Sequence, residues 1–223
     1  FITALSAIWF GTNNAAREIV SELSIFKRER MFNMDISPYV LSKISILAFF
    51  SIVQSAIFIG ILFFRYSLNE PILEYNAPFS AFIWMSFLSI AATFLGLLLS
   101  ATLDTAEKVM TIVPLVLIPQ IMLAGLVAKI NTPFVEVISY LTFTRWGTEG
   151  FNAIQKEVVI SNLKGETALN AIEQLKGQFY EDYPNWFGEL AGTLKLDILA
   201  VLLLMVIMTY FIFRQLKKKV EVL

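Results

Sequence analysis

The sequence predicts an all-α, polytopic helical membrane protein with about five transmembrane helices, the first of them truncated, and a re-entrant outer segment. Three observations carry that prediction. Apolar residues make up 57% of the 223 and charged residues only 16%, against roughly 45–50% and 25% in soluble domains. Mean hydropathy is +0.70, which implies more apolar surface than a soluble fold of this length can hide. Four apolar stretches each reach the roughly 20 residues that a bilayer requires.

The elements follow in order. The chain opens on FITALSAIWFGTNN, apolar but only about half a span long, without the basic start and small-residue cleavage site of a signal peptide. Residues 1–13 therefore read as the end of a span that begins upstream. Residues 14–37 form a charged connection. Residues 38–64 are the first full span, with Pro38 suited to a helix start. Residues 78–103 are the second, residues 108–129 the third, with Pro114 and Pro119, and residues 191–213 the fourth. Residues 133–155 carry charges and two glycines and are too broken for a span. They read as re-entrant or interfacial, which is tolerated where protein or water surrounds the backbone. Residues 156–190 make a polar outer loop, in which GETALNAIEQLKG reads as a short helix with Leu169, Ile172 and Leu175 on one side and Gly177 as its stop.

Orientation follows from the basic residues. One set of connections holds ten of the 17 Lys and Arg and seven of the 18 Asp and Glu. That side is +3 and the other −4. The rule places residues 14–37, residues 104–107 and the C-terminus in the cytoplasm.

Composition also excludes chemistry. The chain has no Cys and no His. That removes disulfides, thiolate zinc sites, Ser-His triads and HExxH proteases, so no catalytic residue and no metal site is expected. A net charge of −1 argues against a nucleic-acid partner. No GxxxxGK[ST] loop occurs, so any ATP chemistry belongs to another domain.

The segment AREIVSELSIFKRERMFN at 16–33 is the most informative. At about 100° per residue, Glu18, Glu22 and Glu29 fall within roughly 40° of one another. Ile19, Leu23 and Phe26 form an adjoining apolar stripe, and Arg17, Lys27, Arg28 and Arg30 surround them. Two readings stand: a docking element that passes movement from a cytoplasmic partner into the spans, or a basic juxtamembrane helix lying on anionic lipid. In AGLVAKINTPF, at 124–134, Leu126 and Val127 could plug a pore by dewetting, or Gly125 could simply pack a helix end. Ser51, Gln54, Ser55, Gln120 and Asp197 are polar groups within apolar helices. They are either interhelical bonds worth on the order of 0.6–2 kcal/mol or contacts to a substrate. Ala92, Gly96 and Ser100 lie four apart and make a small-residue packing face. Most of the 20 Phe and four Trp suit lipid contact or the interfacial belt, while Phe10 is a candidate to line a cavity for flat apolar ligands.

Two stretches carry a family resemblance. REIVSELSIFKRERMFNMDISPYVLSKI resembles the cytoplasmic loop and following span of the ABC transporter G subfamily. LIPQIMLAGLVAKINTPFVEVISYLTFTRWGTEGFNAI resembles that family's fifth span and re-entrant outer segment. The resemblance implies a membrane domain of an ATP-driven exporter of lipidic or amphipathic compounds. A second such domain would complete a homo- or heterodimer around a central cavity. A nucleotide-binding domain, fused or separate, would hold ATP and Mg, and the chain itself would need no cofactor. By position, Glu22, Phe26, Arg28, Glu29 and Arg30 would couple to that domain. Phe10, with the span residues Gln54 and Gln120, would face the substrate cavity, and Leu126 and Val127 would form the plug. The cysteine-free outer loop fits a bacterial inner membrane. A passive channel or ion-coupled secondary carrier is the competing reading, and an intramembrane enzyme the weakest.

Overall fold

The computed structural model describes residues 1–67, 77–124, 133–162 and 193–221. They form α1 (Ile2–Ala15), α2 (Leu23–Met31), α3 (Ile36–Ser67), α4 (Ala77–Thr102), α5 (Ala106–Met122), α6 (Pro133–Ser139), α7 (Phe143–Asn162) and α8 (Leu194–Glu221). No strand occurs among the described residues. The all-helical membrane class stands, and three helices are long and apolar enough to cross a bilayer: Ile36–Arg65, Pro78–Thr102 and Leu194–Lys219. The expected spans at 1–13 and 108–129 are helices of 14 and 17 residues, α1 and α5.

The helix ends follow local chemistry. Thr105 caps α5 by accepting from the Lys108 amide at 3.4 Å, and Glu107 sits in its first turn, where the helix dipole favours an acid. The chain leaves α2 through Asn33, at φ 64°. The Met34 amide donates to the Glu29 carbonyl at 3.4 Å and the Asn33 amide to the Arg30 carbonyl at 3.1 Å. That is a Schellman ending with Asn in the left-handed position. It reverses the chain into α3.

α4 is the organising element. Over the most apolar 18 residues of each helix, 67% of α4 is buried against 22% of α3 and 28% of α8, so α4 forms the centre and the other two the periphery. α1, α3, α7 and α8 all pack on it. The outward faces of α3 and α8 carry Phe49, Ile57, Ile61, Phe64, Leu199, Leu203 and Val206, the pattern of helices facing lipid. One core surrounds Met85, Leu88 and Ala92 of α4 together with Ile8, Phe143 and Val201. A second surrounds Leu97 and Ala101 with Ile19, Phe26, Val40, Ile212 and Leu216.

Two expectations change in form. The 16–33 connection is not one helix. Residues 16–22 are turns, and regular helix resumes only at Leu23. The 133–155 segment is less broken than its glycines suggest: α6, a turn, and then α7 running on through 156–162, residues expected in the loop. Gly147 and Gly150 lie inside α7 as points of close contact. A Cβ on Gly147 would stand 2.9 Å from the Leu88 side chain, and one on Gly150 would run into the Trp84 ring. The Trp84 indole donates to the Gly147 carbonyl at 3.0 Å. Leu126, Val127 and the GETALNAIEQLKG helix lie outside the described residues.

Candidate functional site

The connection from α1 to α3 is pinned to the bundle at three levels. α1 runs down α4 along the small-residue stripe. The Thr12 hydroxyl donates to the Ala92 carbonyl at 3.4 Å, and a Cβ on Gly96 would meet Ala15 at 2.7 Å. One turn further down, the amides of Ile19 and Val20 both donate to Ser100 Oγ, at 3.0 and 2.9 Å. In a continuing helix those amides would bond carbonyls four residues back. The hydroxyl of α4 takes them instead, which accounts for the break at residues 16–22. A hydroxyl oxygen has two lone pairs, and both are used here.

The second level is apolar. Ile19 and Phe26 are buried, as the predicted stripe requires, and Leu23 is partly buried against the same core. The Phe26 ring lies 4.8 Å from that of Tyr39 on α3. The third level is charge. Lys43 of α3, mostly buried, bonds Glu18 at 3.0 Å and Glu22 at 2.6 Å. The predicted acidic face therefore divides: Glu18 and Glu22 turn inward to Lys43, while Glu29 is exposed with Arg28. Arg30 donates to the Met34 carbonyl and so secures the end of α2. Nearby, Lys219 closes the end of α8 onto the α4–α5 turn, at 2.6 Å from the Leu103 carbonyl and 3.4 Å from Asp104.

Ser100→Ala should release this connection. It leaves two buried amides without their acceptor, at about 1–3 kcal/mol each. The expected result is a lower thermal midpoint in detergent and earlier proteolytic cleavage within 16–34. Wild-type resistance in the variant would show that Ser100 is not the anchor.

The span residues take interhelical roles. Gln54 accepts from Asn14 of α1 at 2.7 Å, and Gln120, buried, accepts from Thr144 of α7 at 3.3 Å. Phe10 packs edge-on against Phe58 with centroids 5.8 Å apart. Ser51 and Ser55 are buried on α3, without a hydrogen-bond partner among the described residues.

A buried charged seam joins Asp197, which the sequence singles out, to Arg145 and Glu149, which it does not. Arg145 is fully buried, Glu149 is 7% exposed and Asp197 is 1% exposed. Arg145 Nε bonds Glu149 Oε1 at 3.3 Å, one turn along α7. A second guanidinium nitrogen donates to Ser139 Oγ. The guanidinium also lies 4.0 Å from the Tyr140 ring centroid. Asp197, buried in the first turn of α8, is within electrostatic reach of Glu149 and Arg145. Burial pushes the Tyr140 phenol up to about 12, outweighing the pull of Arg145. The phenol donates to Glu136 Oε1 at 2.9 Å. The available signal was the i, i+4 spacing of Arg145 and Glu149 in a stretch of aromatic and small residues.

Comparison with known proteins places this arrangement. The model of the ABC-2 type transporter family matches residues 1–156, from α1 into α7. The chain belongs to the ABC-2 type transporter family. It is the membrane component of an ABC transporter, and the anchored connection, α4 and the charged seam as far as Glu149 all fall within the family match. One relative of this ABC-2 membrane domain is an ABC transporter ATP-binding/permease protein of Mycobacterium tuberculosis. The two are 25% identical over 152 residues, 64% of this chain. The match spans only 17% of the relative's length.

Proposed function

We propose that this ABC-2 membrane domain is the membrane-spanning half of an ATP-driven exporter of lipidic or amphipathic compounds. It pairs with a second membrane domain and takes its drive from a nucleotide-binding domain that holds ATP and Mg. On this reading the 14–37 connection and the C-terminus face the cytoplasm of a bacterial inner membrane, and the connection receives the movement. The observation that carries it is the division of that connection. Its inner side is fixed to α3 and α4 through Lys43, Phe26 and Ser100, while Arg28 and Glu29 remain exposed on α2. A part held by the spans on one side and presenting charge on the other has the form that coupling requires. The named activity of the mycobacterial relative, an ATP-binding domain together with a permease, supports the same pairing.

Capture from native membranes through a C-terminal tag should recover an ATP-binding domain, on the same polypeptide or in equal amount. Recovery of the membrane chain with no such companion would overturn the reading. In the captured assembly, Arg28→Ala and Glu29→Ala should separate vanadate-sensitive ATP hydrolysis from transport. Chain stability should stay within about 0.5 kcal/mol, because both side chains are at the surface. Unchanged coupling in both variants would remove α2 from the transmission path.

One observation favours the ion-coupled carrier as a second reading, namely buried ionisable groups, which such carriers use. Asp197, however, is in the first turn of α8, at the end of a span rather than its midplane. Collapse of the membrane potential separates the two, because it stops a carrier and spares an ATP-driven exporter.

A further inference from the structure

The last turns of α8 have two unlike faces. At about 100° per residue, Tyr210, Phe213, Arg214, Lys217 and Lys218 fall within one sector roughly 140° wide. Ile212, Leu216 and Lys219 occupy the opposite one. The second set is inward: Ile212 and Leu216 are fully buried and Lys219 is bonded to the α4–α5 turn. The first set lines an open groove of about 520 Å³, within the roughly 300–1,000 Å³ of sites that hold small ligands.

The chemistry of the groove runs along the helix axis. Its aromatic residues come first and its three cations last, at the end of the candidate span Leu194–Lys219. Aromatic rings settle where hydrocarbon meets headgroups, and Lys and Arg reach from there into the headgroup layer. Arg214 offers a planar fork suited to two phosphate oxygens, and Lys217 and Lys218 add point charges. No carboxylate is among the lining residues. A zwitterionic headgroup brings no net charge to such a cluster, whereas an anionic one does.

We propose that this face of α8 binds the headgroup of one anionic phospholipid, with its phosphate on Arg214 and Lys217 and its upper acyl chain along Tyr210 and Phe213. The site rests on α8 as a membrane span and not on ATP coupling, so the two fail separately. Neither docking through α2 nor the charged seam uses it.

The test is native mass spectrometry of the intact transporter in mild detergent, titrated with phosphatidylglycerol or phosphatidylcholine of identical acyl chains. The wild type should retain phosphatidylglycerol preferentially. Arg214→Gln with Lys217→Gln should weaken that retention by about fivefold per cation, about 25-fold in all. Lys27→Gln with Arg28→Gln, the same charge removed from α2, should leave it unchanged. Arg28, Arg214 and Lys217 are exposed and Lys27 is half-buried, and an unaltered thermal midpoint in each pair confirms intact folding. Retention unaffected by the α8 pair, or lost equally in both pairs, would overturn the proposal. So would displacement of the lipid by inorganic phosphate at the concentration of a short-chain phosphatidylglycerol, which would assign the groove to free anions.

Discussion

Arg145→Ala is expected to destabilise the chain by about 3–5 kcal/mol, because it breaks a buried ion pair from one side. The guanidinium is fully enclosed. It bonds Glu149 at 3.3 Å and also Ser139, so its loss affects both α7 and the end of α6. What remains is worse than a cavity. Glu149 and Asp197, both buried, then lose the neighbouring positive charge, and a buried unpaired carboxylate is costly. The measurement is the thermal midpoint of the detergent-solubilised transporter, with protease resistance of α7 beside it. Arg145→Lys should recover only part of the loss, since an ammonium lacks the planar fork and packs poorly on the Tyr140 ring. Arg145→Met with Glu149→Gln and Asp197→Asn should recover more than Arg145→Lys, because removing all the charges avoids the unpaired one. An Arg145→Ala protein as stable as the wild type would show that the seam does not hold α7 to α8.

What was legible in the sequence was whatever depends on local period. Hydropathy located the long helices, and Ile19 and Phe26 are buried as their spacing predicted. The stripe of Ala92, Gly96 and Ser100 was readable because four-residue spacing fixes one face of a helix. What it holds was not readable, since the amides that Ser100 accepts are 81 and 80 residues away. The break in the 16–33 connection has the same cause. Its own residues favour continued helix, and a hydroxyl on α4 overrides them. Gly147 and Gly150 misled for a related reason. In isolation a glycine weakens a helix, but here the absent side chains admit Leu88 and Trp84. The charged seam was hidden because an i, i+4 pair fits an exposed helix equally well, and only the approach of α8 encloses it. Gln54 and Gln120 bond across to α1 and α7, partners that lie 40 and 24 residues away in sequence and that no local period reveals.

Gly96→Val should be the most damaging change on the stripe, and Gly60→Ala provides its control. A Cβ on Gly96 would stand 2.7 Å from Ala15 Cβ, 3.2 Å from the Ala16 nitrogen and closer still to the Thr12 carbonyl oxygen. Those are backbone or backbone-fixed atoms, so no rotamer relieves the conflict and α1 must move off α4. Gly11 repeats the arrangement one level up, against the Ser89 carbonyl and Ala92. The two helices therefore meet backbone to backbone, the contact that small residues permit within membranes. Overpacking of a core costs about 1–3 kcal/mol where it can relax, and this contact has little room to relax. Gly60 of α3 has nothing within 4 Å of its would-be Cβ. There Ala should stabilise by about 0.5–1 kcal/mol through helix propensity alone. Gly96→Ala against Gly60→Ala makes the comparison internal, the same substitution on two helices with opposite expected signs in one assay of membrane accumulation and thermal midpoint. Displacement of α1 also has a directed consequence. Residues 16–20 hang from the same stripe through Ser100, so moving α1 pulls Ile19 and Val20 off their acceptor. Under the coupling role proposed for the connection, the milder Gly96→Ala should therefore weaken transport coupling as well as stability, whereas Gly60→Ala should leave coupling unchanged. If Gly96→Ala instead behaves like Gly60→Ala in both readouts, α1 does not lie on α4 at this point, and the path from the connection into α4 fails with it.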